Sequence, residues 1–404
     1  MTLAHKMLIG LLTGVVAGLL LKEHAVHIKF LGDIFINLIK MVAMPLIFLT
    51  LTSGILNIKD GRILRKIGTK ALLGFWLTAM CALVTGFFVY MIIQPGNNVV
   101  LPIDLDKVLP PPDTGAFSLS IIVNKIIPQN IFGAFVEGSI LQVAFVAIFT
   151  AFTIRSIGPK ENKKIVLFIR EITKVVFRMI HYITQLAPLG AFGLTAWLIG
   201  TQGLDTLFNL GGLIKTIFIA YCIQYITIGL LILLIANLSP LNFYRKSIEY
   251  QLIALSTGST KATLASSMQI CQSKLGVSKN TTALTLPIGA SINMDGACIY
   301  IVVSCLFLAQ SLGIDLSIYE YITLVLLSTV GTIGTAGLSG GSLIVLPIVM
   351  AQIRIPAECY ALLIAIDPIL NAMRSVINIT GDTAVALVVD KTENKLDENI
   401  YNEN

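Results

Sequence analysis

Charge is scarce in this chain. Asp, Glu, Lys and Arg make up 12% of its 404 residues, about half the share found in a soluble domain. With 55% hydrophobic residues and a mean hydropathy of +0.86, that scarcity excludes a soluble protein carrying a single anchor. It implies a polytopic membrane protein. Histidine is nearly missing as well: there are four, none clustered. The six cysteines (Cys81, Cys222, Cys271, Cys298, Cys305 and Cys359) stand singly in apolar segments, without metal-ligand or disulfide spacing. No phosphate-binding loop, nucleophile elbow or metalloprotease helix is present, so an enzyme reading has no motif behind it and no cofactor is expected. The formal charge of +6 lies mostly in short loops rather than in a basic tract. That argues against nucleic acid as a partner and for a chain oriented in a lipid bilayer.

What is present is a series of long apolar runs. Met7–Leu21 and Ile28–Ile58 read as two spans, the second with a kink at Pro45. No small-residue cleavage site follows the first, so it is expected to be retained. The loop Lys59–Lys70 carries five basic residues and belongs in the cytoplasm, which places the N-terminus there too. Ala71–Ile93 is a third span, Gln94–Thr114 a proline-rich outer loop, and Phe117–Thr153 a fourth element interrupted at Pro128, Gly133 and Gly138. Arg155–Lys164 is inside again, and Ile165–Gly200 and Leu207–Leu238 are the fifth and sixth spans.

The pattern then changes. Tyr250–Gly276 holds Ser256-Thr257-Gly258-Ser259-Thr260-Lys261 at its middle and reads as a re-entrant hairpin entered from inside. Thr281–Ser311 is a span broken by Asn293-Met294-Asp295-Gly296, and Ile322–Gln352 is a second hairpin around Gly334–Ser342. Tyr360–Asp390 is an eighth span, and Lys391–Asn404 is a charged cytoplasmic tail. Paired, Gly-interrupted hydrophobic segments point to the midplane site of a secondary transporter.

The eighth span carries the clearest signal. Asp367, Asn371, Arg374, Ser375, Asn378 and Asp382 fall within an arc of roughly 100° at helical spacing. An ionised group at the centre of a spanning helix costs about 2.5–3.5 kcal/mol. The plainer reading is a salt bridge from Arg374 to Asp367 or Asp382. The functional reading gives Arg374 an anion to hold and lets Asp382 and the amides hold a cation. Asn293 and Asp295 supply oxygens of the kind a hard cation takes, and Gly296 lets the backbone unwind. Lys261 either snorkels to cytoplasmic water or meets a buried carboxylate; the first is favoured.

Asn293-Met294-Asp295-Gly296, Gly334-Thr335-Ala336-Gly337 and the run Arg374–Asp382 resemble the dicarboxylate/amino acid:cation symporter family, the glutamate transporter homologues. Pro128-Gln129-Asn130-Ile131-Phe132 and Ala187-Pro188-Leu189-Gly190 extend the likeness over nearly the whole chain. The resemblance implies an all-α fold of eight transmembrane helices plus two re-entrant hairpins, assembled as a homotrimer in the inner membrane and working as an elevator. Residues 1–67 and 96–202 would be scaffold, 68–95 and 203–391 the transport part, and 392–404 the tail.

By position the resemblance assigns a small anionic substrate to Arg374, with Asn378, Ser375, Asn371, Ala297 and the hairpin residues Ser259, Thr260, Leu338 and Ser342 around it. One sodium would sit among Gly289, Asn293, Asn378 and Asp382. A second would use Ser291, Met294, Thr332, Ile333 and Thr335, and a third Thr78, Asn293 and Asp295.

Three positions depart from the pattern. Acidic amino acid carriers place Asp where this chain has Asn371, and Thr where it has Ala297. The serine run of the first hairpin is diluted to Gly258-Ser259-Thr260-Lys261. The expected function is therefore sodium-driven import of glutamate or aspartate, or of a C4-dicarboxylate. Proton coupling, a neutral amino acid carrier and a passive anion pore are the alternatives.

Overall fold

The computed structural model describes residues 3–56, 62–97, 99, 126–158, 161–203, 205–334, 337 and 340–403. Its regular structure among these residues is helical. Among the described residues, five stretches are long and apolar enough to cross a membrane: His5–Leu56, Lys66–Ile93, Leu210–Ala236, Lys279–Ser311 and Tyr360–Thr392. The chain is accordingly built as a multi-pass membrane protein.

The first stretch folds back on itself. Helix α1 (Leu3–Leu21) ends where Lys22 takes the left-handed conformation, a 3-10 segment covers Lys22–Ile28, and α2 (Lys29–Leu56) runs on through Pro45. Both helices pack on α7 (Ala187–Gln202). Gly10, Gly14 and Gly18 lie against Pro188, Phe192 and Ala196 in ascending order. Gly200 lies against Lys22 and Ala25, Gly193 against Leu31, and Gly190 against Phe35, in descending order. So α1 runs parallel to α7 and α2 antiparallel to it. Small residues let the backbones approach closely, which is how helices associate without a water-driven hydrophobic effect.

Helix α3 (Arg62–Ile93) follows. The fourth element is, in its described part, a short α4 (Ile131–Val136), capped by the Asn130 side chain, and α5 (Ile140–Ser156). The fifth differs from one continuous span. It is α6 (Lys163–Gln185) and α7, bent by 43° at Leu186. Pro188 sits in the first turn of α7, where its missing N–H costs nothing, and it resists continuation of α6.

Helix α8 (Asp205–Leu231) ends in a π-turn at Ile232–Ala236. Two helix pairs with polar tips come next in sequence: α9 (Pro240–Thr257) with α10 (Thr260–Ser273), and later α13 (Ile318–Gly334) with α14 (Gly341–Gln352). Between them lie α11 (Lys279–Ile292) and α12 (Asp295–Ser311), one helix interrupted at Asn293 and Met294. Helix α15 (Tyr360–Thr392) is the long polar-faced one.

Packing falls into two groups. Helices α1, α2, α5, α6 and α7 associate with one another, while α3 and α8 to α15 surround α12 and α15. The tail is docked rather than free. Its short α16 (Glu398–Asn402) buries Tyr401, whose hydroxyl donates to Ser239 O at 2.7 Å, and Lys246 Nζ donates to Ile400 O at 2.6 Å.

Candidate functional site

The break in the α11–α12 helix and the polar face of α15 meet at the centre of the second packing group. The break is set by sequence. Asn293 leaves the helical region and Met294 caps α12, whose first turn begins with Asp295. The backbone groups so freed must be satisfied inside the protein. Asn378 Oδ1 accepts from Gly296 N at 2.8 Å, and Asn378 Nδ2 lies 3.4 Å from Met294 Sδ. Tyr221 donates its hydroxyl to Gly296 O at 3.2 Å.

One cluster is acidic. Thr78, on α3, donates to Asn293 Oδ1 at 3.0 Å and reaches Asp295 Oδ1 at 3.2 Å. Asp295 and Asp382 are fully buried. Asp295 Oδ2, both Asp382 oxygens and Asn293 Nδ2 have no hydrogen-bond partner among the described residues. Two glycines make the room. A Cβ on Gly289 would fall 2.6 Å from Asp382 Oδ1, and one on Gly381 would fall 2.8 Å from Asp295 Oδ2. Thr78, Gly289, Asn293, Met294, Asp295, Asn378 and Asp382 are thus brought together.

The second cluster is built on the arginine. Arg374 donates through Nη2 to Asp367 at 2.9 Å and to Asn371 at 2.7 Å, and lies 4.6 Å over the Tyr300 ring. Its Nη1 is buried without a partner among the described residues. Asn371 also ties the two tips to this cluster. Its Nδ2 donates to Gly258 O at 3.1 Å, and its Oδ1 accepts from Gly340 N at 3.4 Å. The tips touch each other as well, with Ser259 Oγ donating to Gly337 O at 3.3 Å. Thr260, Ala297 and Ser342 are buried close by in sequence to these contacts.

Other expected residues are engaged locally. The Ser375 hydroxyl donates to Asn371 O and that of Ser291 to Pro287 O, each one turn back on its own helix. Thr332 donates to Ser328 O at 2.7 Å, and Ile333 is half-buried beside it. Thr335 and Leu338 lie outside the described residues. Among the described residues Lys261 meets no carboxylate; its ammonium lies 4.1 Å over the Phe177 ring of α6. Sequence reasoning missed Tyr221 and Tyr300. The signal was there, since a tyrosine inside an otherwise apolar helix needs a partner for its polar end.

The pairing of Arg374 with Asp367 decides the charge balance. One cation is matched by one carboxylate, so among the described residues Asp295 and Asp382 have no counter-charge. Burying unpaired carboxylates is costly, and an acidic cluster beside an arginine with an open Nη1 can take a cation and an anion together.

Polar groups held between broken helices in an apolar bundle define a membrane transport protein rather than an enzyme. The model of the sodium:dicarboxylate symporter family matches residues 3–392, and the chain belongs to that family. It is 33% identical over 400 residues to the "C4-dicarboxylate transport protein" of Bacillus subtilis (strain 168), covering 98% of this chain and 94% of the relative. A protein of the same name from Pseudomonas fluorescens (strain Pf0-1) is 34% identical over 405 residues, covering 99% and 90%. A third, from Rhizobium etli, is 32% identical over 397 residues, covering 97% and 89%.

Proposed function

We propose that this protein is a sodium-driven symporter of C4-dicarboxylates such as succinate. The observation that carries the reading is the charge arrangement: Arg374 with a free Nη1, held by neutral Asn371 and by Asp367, next to the uncompensated Asp295 and Asp382. A substrate ammonium needs an acceptor of negative charge, and Asn371 supplies none. A second carboxylate on the substrate needs only neutral donors and cations. The names of the similar proteins point the same way.

Sodium enters as a co-substrate. Asp295, Asn293 and Thr78 would hold one ion, and Asp382, Asn293, Asn378 and the backbone near Gly289 another. Asn378 couples the ions to the anion. It grips Gly296 and Met294 across the helix break and stands one turn after Arg374 on α15. Filling the acidic cluster would fix the break and, through Asn378, the face that carries Arg374. The α13–α14 pair is the outer gate in this reading. The two packing groups are scaffold and transport parts of an elevator, in a homotrimer of the bacterial inner membrane with cytoplasmic termini.

The test is uptake into proteoliposomes under an inward sodium gradient, with labelled succinate and labelled aspartate in parallel. Succinate accumulation that collapses with the sodium gradient is expected. Aspartate accumulation in its place would overturn the substrate. Equilibration without accumulation would overturn symport in favour of a pore.

A further inference from the structure

A groove of about 300 Å³ runs along the outside of the second packing group, between α3, α8 and α15. Its walls are apolar and include Leu73, Leu77, Leu231, Ile235 and Val388. Leu73, Leu77 and Ile235 are 62%, 36% and 46% exposed. The groove follows α3 from Lys70 to Thr78, about 12 Å at 1.5 Å per residue, and α15 over an equal stretch from Thr392 to Ala384.

Its two ends differ. The mouth is basic. Lys66 and Lys70 share the single carboxylate of Glu393, with Lys66 at 2.9 Å, and Lys70 also donates to Thr392 O at 3.3 Å. Two ammonium groups on one carboxylate leave a positive charge. The inner end is Thr78, whose side chain lines the groove while its hydroxyl points to Asn293 and Asp295. The π-turn at Ile232–Ala236 contributes Ile232 and Ile235 to the wall, and such turns often mark functional places in helices.

We infer that this groove is a binding site for an anionic phospholipid, with its acyl chain along α3 and its phosphate at Lys66 and Lys70. The geometry suits one ligand class. The charged end stands where a helix leaves the apolar layer, and the apolar length lies parallel to the spanning helices, as an acyl chain does. Charge complementarity selects an anionic headgroup over a zwitterionic one. The bound chain would press α3 inward at Thr78 and so support the oxygens of the acidic cluster. The effect on sodium rests on the proposed function; lipid binding itself does not.

The full-length protein, purified in detergent, is offered phosphatidylglycerol or phosphatidylcholine of identical acyl chains, and retained lipid is counted by native mass spectrometry. Phosphatidylglycerol is expected to be retained preferentially. Lys66→Gln and Lys70→Gln should each reduce the preference about fivefold. Leu77→Trp, or Ile235→Trp if that variant does not fold, should remove retention by filling the groove. Glycerol phosphate should not compete, which separates a lipid site from a phosphate site. Equal retention of both lipids, or retention unaffected by either tryptophan, would overturn the site. A second measurement follows the sodium concentration for half-maximal thermal stabilisation. It should fall on adding phosphatidylglycerol to the wild type and stay put in the tryptophan variant. Retention with no sodium effect in any sample would count against sodium binding while leaving the lipid site in place.

Discussion

Arg374 and Asp367 form an ion pair at 2.9 Å, both almost wholly buried, seven residues apart on the same face of α15. This pair takes Nη2 of the guanidinium and leaves Nη1 buried without a partner among the described residues. It also removes Asp367 from the account of free negative charge, so the acidic cluster across the helix break stands alone.

Removing one partner of a buried pair costs about 3–5 kcal/mol because the other charge is stranded. Asp367→Asn should therefore lower the melting temperature of the ligand-free protein. Succinate should restore more of it than it adds to the wild type, because the anion then supplies the missing charge. Arg374→Ala should abolish succinate uptake. Melting curves with and without succinate check the first expectation and proteoliposome uptake the second.

Asn371→Asp would place a carboxylate where an amide oxygen now lies 2.7 Å from Arg374 Nη2. The new charge competes with a dicarboxylate for the guanidinium and offers an acceptor to an ammonium group. Succinate uptake should fall at least about tenfold, the factor carried by about 1.4 kcal/mol, and inhibition of that uptake by aspartate should strengthen. Unchanged succinate uptake would mean that the substrate lies away from this residue.

Gly381→Ala tests the acidic cluster without deleting a charge. Its Cβ would fall 2.8 Å from Asp295 Oδ2 and 2.9 Å from Asn293 Nδ2, so these two side chains must turn away. Displacing the support of a cation site typically costs 10–100-fold in affinity. The sodium concentration for half-maximal thermal stabilisation should rise by about that factor. Gly211→Ala, where a Cβ meets nothing within 4 Å, serves as the control and should leave it unchanged.

Arg354 closes the base of the α13–α14 pair. Its Nε donates to Glu320 Oε1 at 2.6 Å and its Nη2 to Glu320 Oε2 at 3.1 Å, while its backbone is left-handed at φ +63°. The ion pair thus holds a conformation that a side chain disfavours by about 1 kcal/mol or more. Arg354→Ala should destabilise the protein, and Arg354→Gly should recover about 1 kcal/mol of that loss, since glycine takes φ > 0 freely. Equal melting temperatures for the two variants would show that the backbone stores no strain.

Glu393, at the end of α15, accepts from Lys70 and Lys66, and these bonds hold its carboxyl below the usual glutamate value of 4.5. A depressed carboxyl contributes stability that is present above its unfolded pKa and lost as pH falls through the folded one. Thermal stability should therefore drop below about pH 4.5, and that part of the drop should shrink in Lys70→Met, where Lys66 alone still holds the carboxylate. Melting curves from pH 7 to pH 3 in detergent read both.

The polar face of α15 was legible in the sequence because helical spacing alone puts six polar residues on one side. The break at Asn293-Met294 was legible for a similar reason: an amide, a carboxylate and a glycine in an apolar run cannot continue a spanning helix without cost. The bend between α6 and α7 was not. Ile165–Gly200 is apolar enough to read as one span, and Pro188 signals a helix start only once its neighbours are known to be two helices.

The sequence by itself determined the class of protein, the order of its elements and the polar residues that charge would make expensive in lipid. Those follow from local physics: hydropathy, helical period and the cost of a buried charge. Only the tertiary structure decided which polar residues meet. The Arg374–Asp367 pair, two turns apart on one face of α15, was one of the two pairings that helical spacing allowed. But that Thr78 on a distant helix donates to Asn293 and Asp295, that Tyr300 lies under the guanidinium and that Tyr401 docks the tail are contacts between residues far apart in the chain. Each is fixed by how helices pack in three dimensions, and no periodicity along a single helix encodes that.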